Sequence, residues 1–168
     1  MGRQNLRLGS WAPLPAPTFI YNTDFSNNKG TEMALFEWDD SFSVGIDMVD
    51  KQHMILVRAI NLLHMAVKAN SSDKLLGEIF DTLADYTDVH FTYEEQLFEI
   101  YRYPDAEEHI AQHTALLEKV LHLKRQWEAG NAEIGREVLD FLVGWLHDHI
   151  LGSDRAYTAY LQQRMKVA

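Results

Sequence analysis

The chain contains no cysteine. Disulfides, iron–sulfur clusters and thiolate-bound zinc are thereby excluded, and any metal has to be held by nitrogen and oxygen donors. No stretch reaches the ~18 consecutive apolar residues that a membrane span requires, so none is expected. Basic residues are few: 15 Lys and Arg against 25 Asp and Glu give a net charge of −10. Binding phosphates needs a concentrated basic surface, which speaks against a nucleic-acid partner. The remaining composition, 46% hydrophobic and 24% charged, is ordinary for a soluble globular protein. A length of 168 residues is one domain's worth, able to bury roughly 70% of its unfolded surface around a single core.

Residues 1–33 differ in character from the rest of the chain. Pro13, Pro15 and Pro17 stand close together, turn formers fill Asn22 to Gly30, and no helical or alternating period is present. The segment reads as an irregular N-terminal extension. It has early arginines at Arg3 and Arg7 but no continuous apolar region, so a secretory signal is not expected. Met33 is a second candidate for the start of the protein, and a cytoplasmic location is expected.

Residues 34–168 read as one helical domain. A short arm with Trp38 and Phe42 leads into four amphipathic patterns. The first carries Val49, His53, Leu56, Ile60, Leu63 and Val67, alternately four and three apart, which is the stripe of a helix packed on one face. The second runs through Ile79, Leu83, Tyr86, His90, Glu94, Leu97 and Tyr101, and the third through His109, His113, Leu116, Val120, Leu123 and Trp127. Pro104 is a plausible first-turn residue of that third helix. The fourth takes Ile134, Val138, Leu142, Trp145 and His149, and a short helix follows from about residue 155. The breaks at 70–72, 102–105 and 129–132 are short, and short connections make neighbouring helices antiparallel. The expected fold is all-α: an antiparallel up-down-up-down four-helix bundle with an N-terminal arm and a short C-terminal helix.

Seven metal-binding groups occupy positions where these stripes call for apolar core residues: His53, His90, Glu94, His109, His113, His149 and Asp154. His53 and His109/His113 fall near the starts of the first and third helices, His90/Glu94 and His149 toward the ends of the second and fourth. In an antiparallel bundle those places share one end. Burying five imidazoles and two carboxylates uncompensated would cost ~1–3 kcal/mol per group at minimum, against a total stability of ~5–15 kcal/mol. Metal ions remove that cost by bonding to the lone pairs. The i,i+4 pairs His90/Glu94 and His109/His113 put both donors on one helical face. His149 and Asp154 are five apart, ~140° around an ideal helix, so that pair needs a loosened turn, which Gly152 makes plausible. Seven donors exceed what one ion takes, which suggests two metals, and carboxylates can bridge them. Spacing does not choose among iron, zinc, copper and manganese. His64 lies ~16 Å along the axis from His53, His122 half a turn out of phase with His113, and His147 two residues before His149; all three read as surface or boundary residues.

Val44-Gly45-Ile46 with Asp50-Lys51-Gln52-His53, His90-Phe91-Thr92-Tyr93-Glu94-Glu95, Tyr103-Pro104, His109 with His113, and Trp145-Leu146 leading to His149-Ile150 and Asp154 closely resemble the hemerythrin family, in its single-domain bacterial form. The resemblance spans about residues 34–164. It implies a non-haem di-iron site, oxo- or hydroxo-bridged, with one iron on His109, His113 and His149, the other on His53 and His90, and Glu94 and Asp154 bridging. It further implies dioxygen as the ligand, bound at an open position on the two-histidine iron. Phe91, Trp145, Leu146 and Ile46 are candidate wall residues of a dry oxygen pocket, and plain bundle core explains each of them as well. Asp50, Glu95 and Asp148 lie near ligands, where they either orient imidazoles or sit on a solvated face. Phe98 stands where a methionine is frequent in the family, Leu116 where an aromatic is common, and the extension has no counterpart. The expected function is reversible oxygen binding for carriage, storage or delivery, not enzymatic, in a chain read as a monomer with no known client. A di-iron redox enzyme is the alternative, although the paired Glu-x-x-His motifs of carboxylate-rich di-iron oxidases are absent. A sensor module for oxygen or iron is a third reading.

Overall fold

The first helix begins where Asp50 folds back on the chain before it. In a computed structural model that describes residues 34–71, 73–129 and 134–166, the Asp50 carboxylate accepts hydrogen bonds from the backbone of Val44 (2.8 Å) and Gly45 (3.2 Å) and from the Ser43 hydroxyl (2.7 Å). Gly45 sits in the left-handed region at φ 66°, which a side chain would resist. The Gln162 amide closes over it, donating to the carbonyls of Val44 (3.2 Å) and Gly45 (3.0 Å). This arm includes a short 3₁₀ turn, Asp40–Phe42, and it delivers α1, Asp47–Lys68.

Helix α2 is Asp73–Tyr101 and α3 is Ala106–Glu128. Both α1 and α2 end in a left-handed residue, Asn70 at φ 51° and Arg102 at φ 54°. In each case the next amide bonds back to the last turn: Ser71 N–H to the Ala66 carbonyl and Tyr103 N–H to the Phe98 carbonyl, both at 3.0 Å. Asparagine suits that conformation; arginine does not. The Tyr160 hydroxyl holds the second turn, donating to the carbonyls of Tyr101 and Arg102. Pro104, expected in the first turn of the third helix, instead lies in the turn before it, with Asp105 at the cap. Helix α4 is Ile134–His149, followed by a wide π-helical turn, Ile150–Asp154, and by α5, Arg155–Met165.

The four long helices close a ring. α1 packs on α2 and α4, α3 packs on α2 and α4, and α5 lies against α2. This is the expected bundle with its arm and terminal helix. Its core is built from the apolar stripes: Val49, Leu56, Ile60 and Leu63 from α1, Ile79, Leu83, Tyr86 and Leu97 from α2, Leu116, Val120 and Leu123 from α3, Val138 and Leu142 from α4. Val67, Tyr101, Trp127 and Trp145 are half-buried at its margins. The extension read at residues 1–33 and the Ile134 side chain lie outside the described residues. Among those residues, no helix is long and apolar enough to cross a membrane.

Candidate metal centre

All seven candidate donors are buried in one layer at one end of the bundle. His53 and Asp154 are 0% exposed, and none of the others exceeds 4%. The donor atoms sort into two groups, each with its members within 4.8 Å of one another: Glu94 with His109, His113 and His149, and His53 with His90, Glu94 and Asp154. Glu94 belongs to both. Its Oε2 lies 3.2 Å from His113 Nε2, 3.6 Å from His109 Nε2 and 3.7 Å from His90 Nε2. Asp154 divides its oxygens between the groups. Oδ1 is 3.1 Å from His149 Nε2 and 3.3 Å from His109 Nε2, whereas Oδ2 is 3.2 Å from His53 Nε2.

The π turn makes the contact between His149 and Asp154 possible. A π-helical turn bonds each residue to one five positions on, so His149 and Asp154 come round to the same side, which an α-helix would not allow. Gly152 is not sterically required for it. A Cβ built there meets nothing within 4 Å, and the residue is not at positive φ. Ser153 steadies the turn by donating to Gln112 Oε1 at 2.6 Å.

These close contacts are not ordinary hydrogen bonds. Glu94 Oε2, both Asp154 oxygens, the Nε2 atoms of His109, His113 and His149, and His53 Nδ1 are all buried without a hydrogen-bond partner. Buried polar atoms are rarely left so. Lone pairs at 3.1–3.7 Å that do not point at one another converge on points between them, which is what cations would occupy. The donor set of imidazole and carboxylate fits iron, zinc or manganese.

The outward faces of the rings are held from the scaffold. His90 Nδ1 meets Gln52 Oε1 at 3.2 Å, and His113 Nδ1 meets Glu95 Oε1 at 3.0 Å. Such partners fix the tautomer and present Nε2 inward. Phe91 stacks on His113 with centroids 3.7 Å apart at 4°, and Trp145 on His149 at 4.1 Å and 17°. Both therefore cover the three-histidine half, although Phe91 also approaches His90 at 5.6 Å. Leu146 and Ile46 are buried. Phe98 meets His109 edge-on at 4.9 Å, and the Tyr157 hydroxyl donates to Glu94 Oε1. Burial and the Glu94 carboxylate push the Tyr157 phenol up, so it keeps its proton. The roles of Gln52, Tyr157 and Phe98 beside these groups carry no signal in the sequence. Of the three acids near ligands, only Glu95 touches an imidazole of the centre; Asp50 binds the arm, and Asp148 pairs with exposed His147. His64 is half-buried and His122 exposed, and neither belongs to the two groups.

Without metal the layer carries opposed charges. Burial drives His90 down to about 3, with Glu94 only partly countering it. His109 is also penalised by burial, but Asp154 and Glu94 outweigh that and lift it to about 9. Burial raises Glu94 and Asp154, yet the surrounding histidines prevail and hold both below the usual carboxylate range. Linkage then fixes the stability profile of metal-free protein. Below 6.5 the unfolded chain takes up a proton that folded His90 refuses until about 3, so stability falls with acid, and it falls further once Glu94 and Asp154 must protonate. Above 6.5 folded His109 keeps a proton that the unfolded chain has lost, an advantage that disappears as pH rises through about 9. Urea unfolding of metal-free protein across this range is expected to show greatest stability near pH 6.5 and a decline on both sides; a flat profile counts against these assignments.

The family model described as the hemerythrin HHE cation binding domain matches residues 44–161. The chain belongs to the hemerythrin family. Bacteriohemerythrin of Stenotrophomonas maltophilia is 36% identical over 125 residues, covering 74% of this chain and 80% of that protein. A hemerythrin-like protein of Naegleria gruberi is 35% identical over 126 residues, covering 75% and 93%. Among solved structures, wild-type hemerythrin superposes with a TM-score of 0.65 at 30% identity, over 76% of this chain and 98% of the other. The hemerythrin family binds non-haem iron, and the buried cluster is able to hold it.

Proposed function

We propose that the protein binds dioxygen reversibly at a pair of iron ions held by the seven residues, for carriage, storage or delivery rather than catalysis. The observation that carries this reading is the asymmetry of the layer. Three imidazoles stand on one side and two on the other, with Glu94 and the two oxygens of Asp154 between them. His109, His113 and His149 would hold one ion, His53 and His90 the second, and Glu94 and Asp154 would bridge. Iron held there would supply the electrons for dioxygen, one from each ferrous ion, at a position beside His53 and His90. The protein's part is to keep that position dry and fixed. Phe91, which also approaches His90, would wall it with the buried Leu146 and Ile46, whereas Trp145, stacked on His149, covers the three-histidine half; exclusion of water and reductant favours release over further reaction. Gln52 and Glu95 hold the imidazoles in register, and Tyr157 fixes the Glu94 carboxylate by donating to its Oε1.

Measuring iron per chain, reducing the protein anaerobically and admitting oxygen tests the proposal. A visible charge-transfer band that appears with oxygen and vanishes on its removal is the expected result. Irreversible conversion to the ferric form with substrate turnover would assign the protein to redox catalysis instead. For the ligand set, His113→Ala is expected to lose roughly half or more of the iron, with an outer-partner loss at Glu95 weakening affinity by ~10–100-fold. His122→Ala, on the exposed side of the same helix, is expected to retain full iron; equal losses in the two alanine variants would count against the layer.

A further inference from the structure

Cavities around the buried layer differ in charge. One of about 290 Å³ carries Asp105 and Glu108 in its wall, and one of about 440 Å³ carries Glu95 and Glu99, with no Lys or Arg in either lining. A third, of about 430 Å³ between α1 and α2, is lined by Lys51 and Arg58 and by no carboxylate; Lys51 is paired with Asp47 beside it at 2.6 Å, so Arg58 is the uncompensated charge of the lining. On a chain of net charge −10 Arg58 gives this recess a local positive charge that favours an anion. Its walls include Met48, Met54 and Ile55, apolar and, through the methionines, adaptable in shape. The volume lies within the ~300–1,000 Å³ of small-molecule sites.

Gln52 also lines this cavity and connects it to the metal layer. The residue is 1% exposed, its Oε1 engages His90 Nδ1 at 3.2 Å, and its Nε2 is buried without a partner among the described residues. With His90 Nε2 turned to the metals, Nδ1 carries the proton and Oε1 must be its acceptor. That leaves the Gln52 amide N–H as an unused, buried donor behind the wall of a recess whose uncompensated charge is that of Arg58.

We propose that this cavity binds a short-chain carboxylate, whose head accepts from Gln52 Nε2 and pairs with Arg58 while its tail lies among the methionines, and that Gln52 transmits occupancy to His90. An anion on the amide nitrogen polarises the group and makes Oε1 a stronger acceptor for the His90 Nδ1–H. The imidazole becomes a stronger donor through Nε2. The transmission rests on the di-iron reading; the binding does not.

Hexanoate, titrated by calorimetry into the iron-loaded full chain, is the probe, with hexylamine as its cationic counterpart. Saturable 1:1 binding of hexanoate alone is expected, weakened about tenfold in Arg58→Gln by loss of the charge partner. Hexanoate is further expected to move the iron midpoint potential negative in the wild-type protein and to leave it unchanged in Gln52→Met. Absence of saturable binding, equal binding of hexylamine, no effect of Arg58→Gln, or the same potential shift in Gln52→Met each overturns the proposal. Iron content and the oxygen spectrum, taken on the same preparation without hexanoate, report separately on the di-iron reading. Should no iron be retained, the same titration followed by the ¹⁵N shift of the His90 ring decides the cavity and its link to His90.

Discussion

Removing the metal is expected to lower the melting temperature by ~8–16 °C, because metal at about a thousand times its Kd contributes ~4 kcal/mol and each kcal/mol moves a domain of this size by ~2–4 °C. The reason lies in the polar atoms that the fold buries and leaves without hydrogen bonds at Glu94, Asp154, His109, His113 and His149. Each such atom costs ~1–3 kcal/mol when unsatisfied, which no bundle of marginal stability retains for its own sake. A chelated sample and a metal-saturated one, compared by calorimetry at pH 7, measure the difference. A companion variant separates a metal site from a structural polar network. His53→Leu deletes the orphaned Nδ1 and replaces it with apolar volume among Leu56 and Trp38, so it is expected to match or exceed wild-type stability in the metal-free state. In the presence of metal the order should reverse. Equal melting temperatures with and without metal, or a large loss in metal-free His53→Leu, would mean that the layer is held together by its own ion pairs.

What was legible in the sequence came from periodicity. A histidine on an apolar stripe has its direction fixed by the residues three and four away, so His53 beside Leu56 and His113 beside Leu116 had to face inward. Short connections then brought the four helix ends to one pole. The residues that hold the rings were harder to see. Gln52 lies one position before His53, about 100° around the helix, and on a stripe argument it belongs to the flank. It is buried because α2 packs close on α1 there, and the rotation of one helix about another is a tertiary quantity. Tyr157 is similar, since its hydroxyl meets Glu94 only after the π turn has set the direction of α5. Asp50 illustrates the opposite error of proximity. Three residues from His53, it has the spacing of an orienting carboxylate, but the left-handed Gly45 brings the arm's amides to it first. Pro104 falls two residues short of the helix, because the preceding helix spends Arg102 and Tyr103 on closing its own end.

The π turn offers the sharpest test of how the layer is assembled. Inserting an alanine after Gly152 is expected to abolish stable iron binding, whereas Gly152→Ala is expected to keep it and to change stability by less than ~1 kcal/mol. The insertion rotates everything beyond it by ~100°, which swings Asp154 away from His149 and His53 and takes the Tyr157 hydroxyl from Glu94. Both carboxylates of the layer are then displaced by a change that substitutes none of the seven candidate donors. Gly152→Ala alters neither register nor contacts, as a Cβ there meets open space. Deleting Gly152 discriminates further. With one residue fewer the pair becomes i,i+4, which a regular α-helix places on one face, so the deletion variant is expected to bind iron where the insertion variant does not. Iron per chain and the oxygen-dependent spectrum of the three variants measure this directly. If the insertion and the deletion fail alike, the wide turn matters for its own shape; if the insertion binds iron normally, Asp154 is not a ligand.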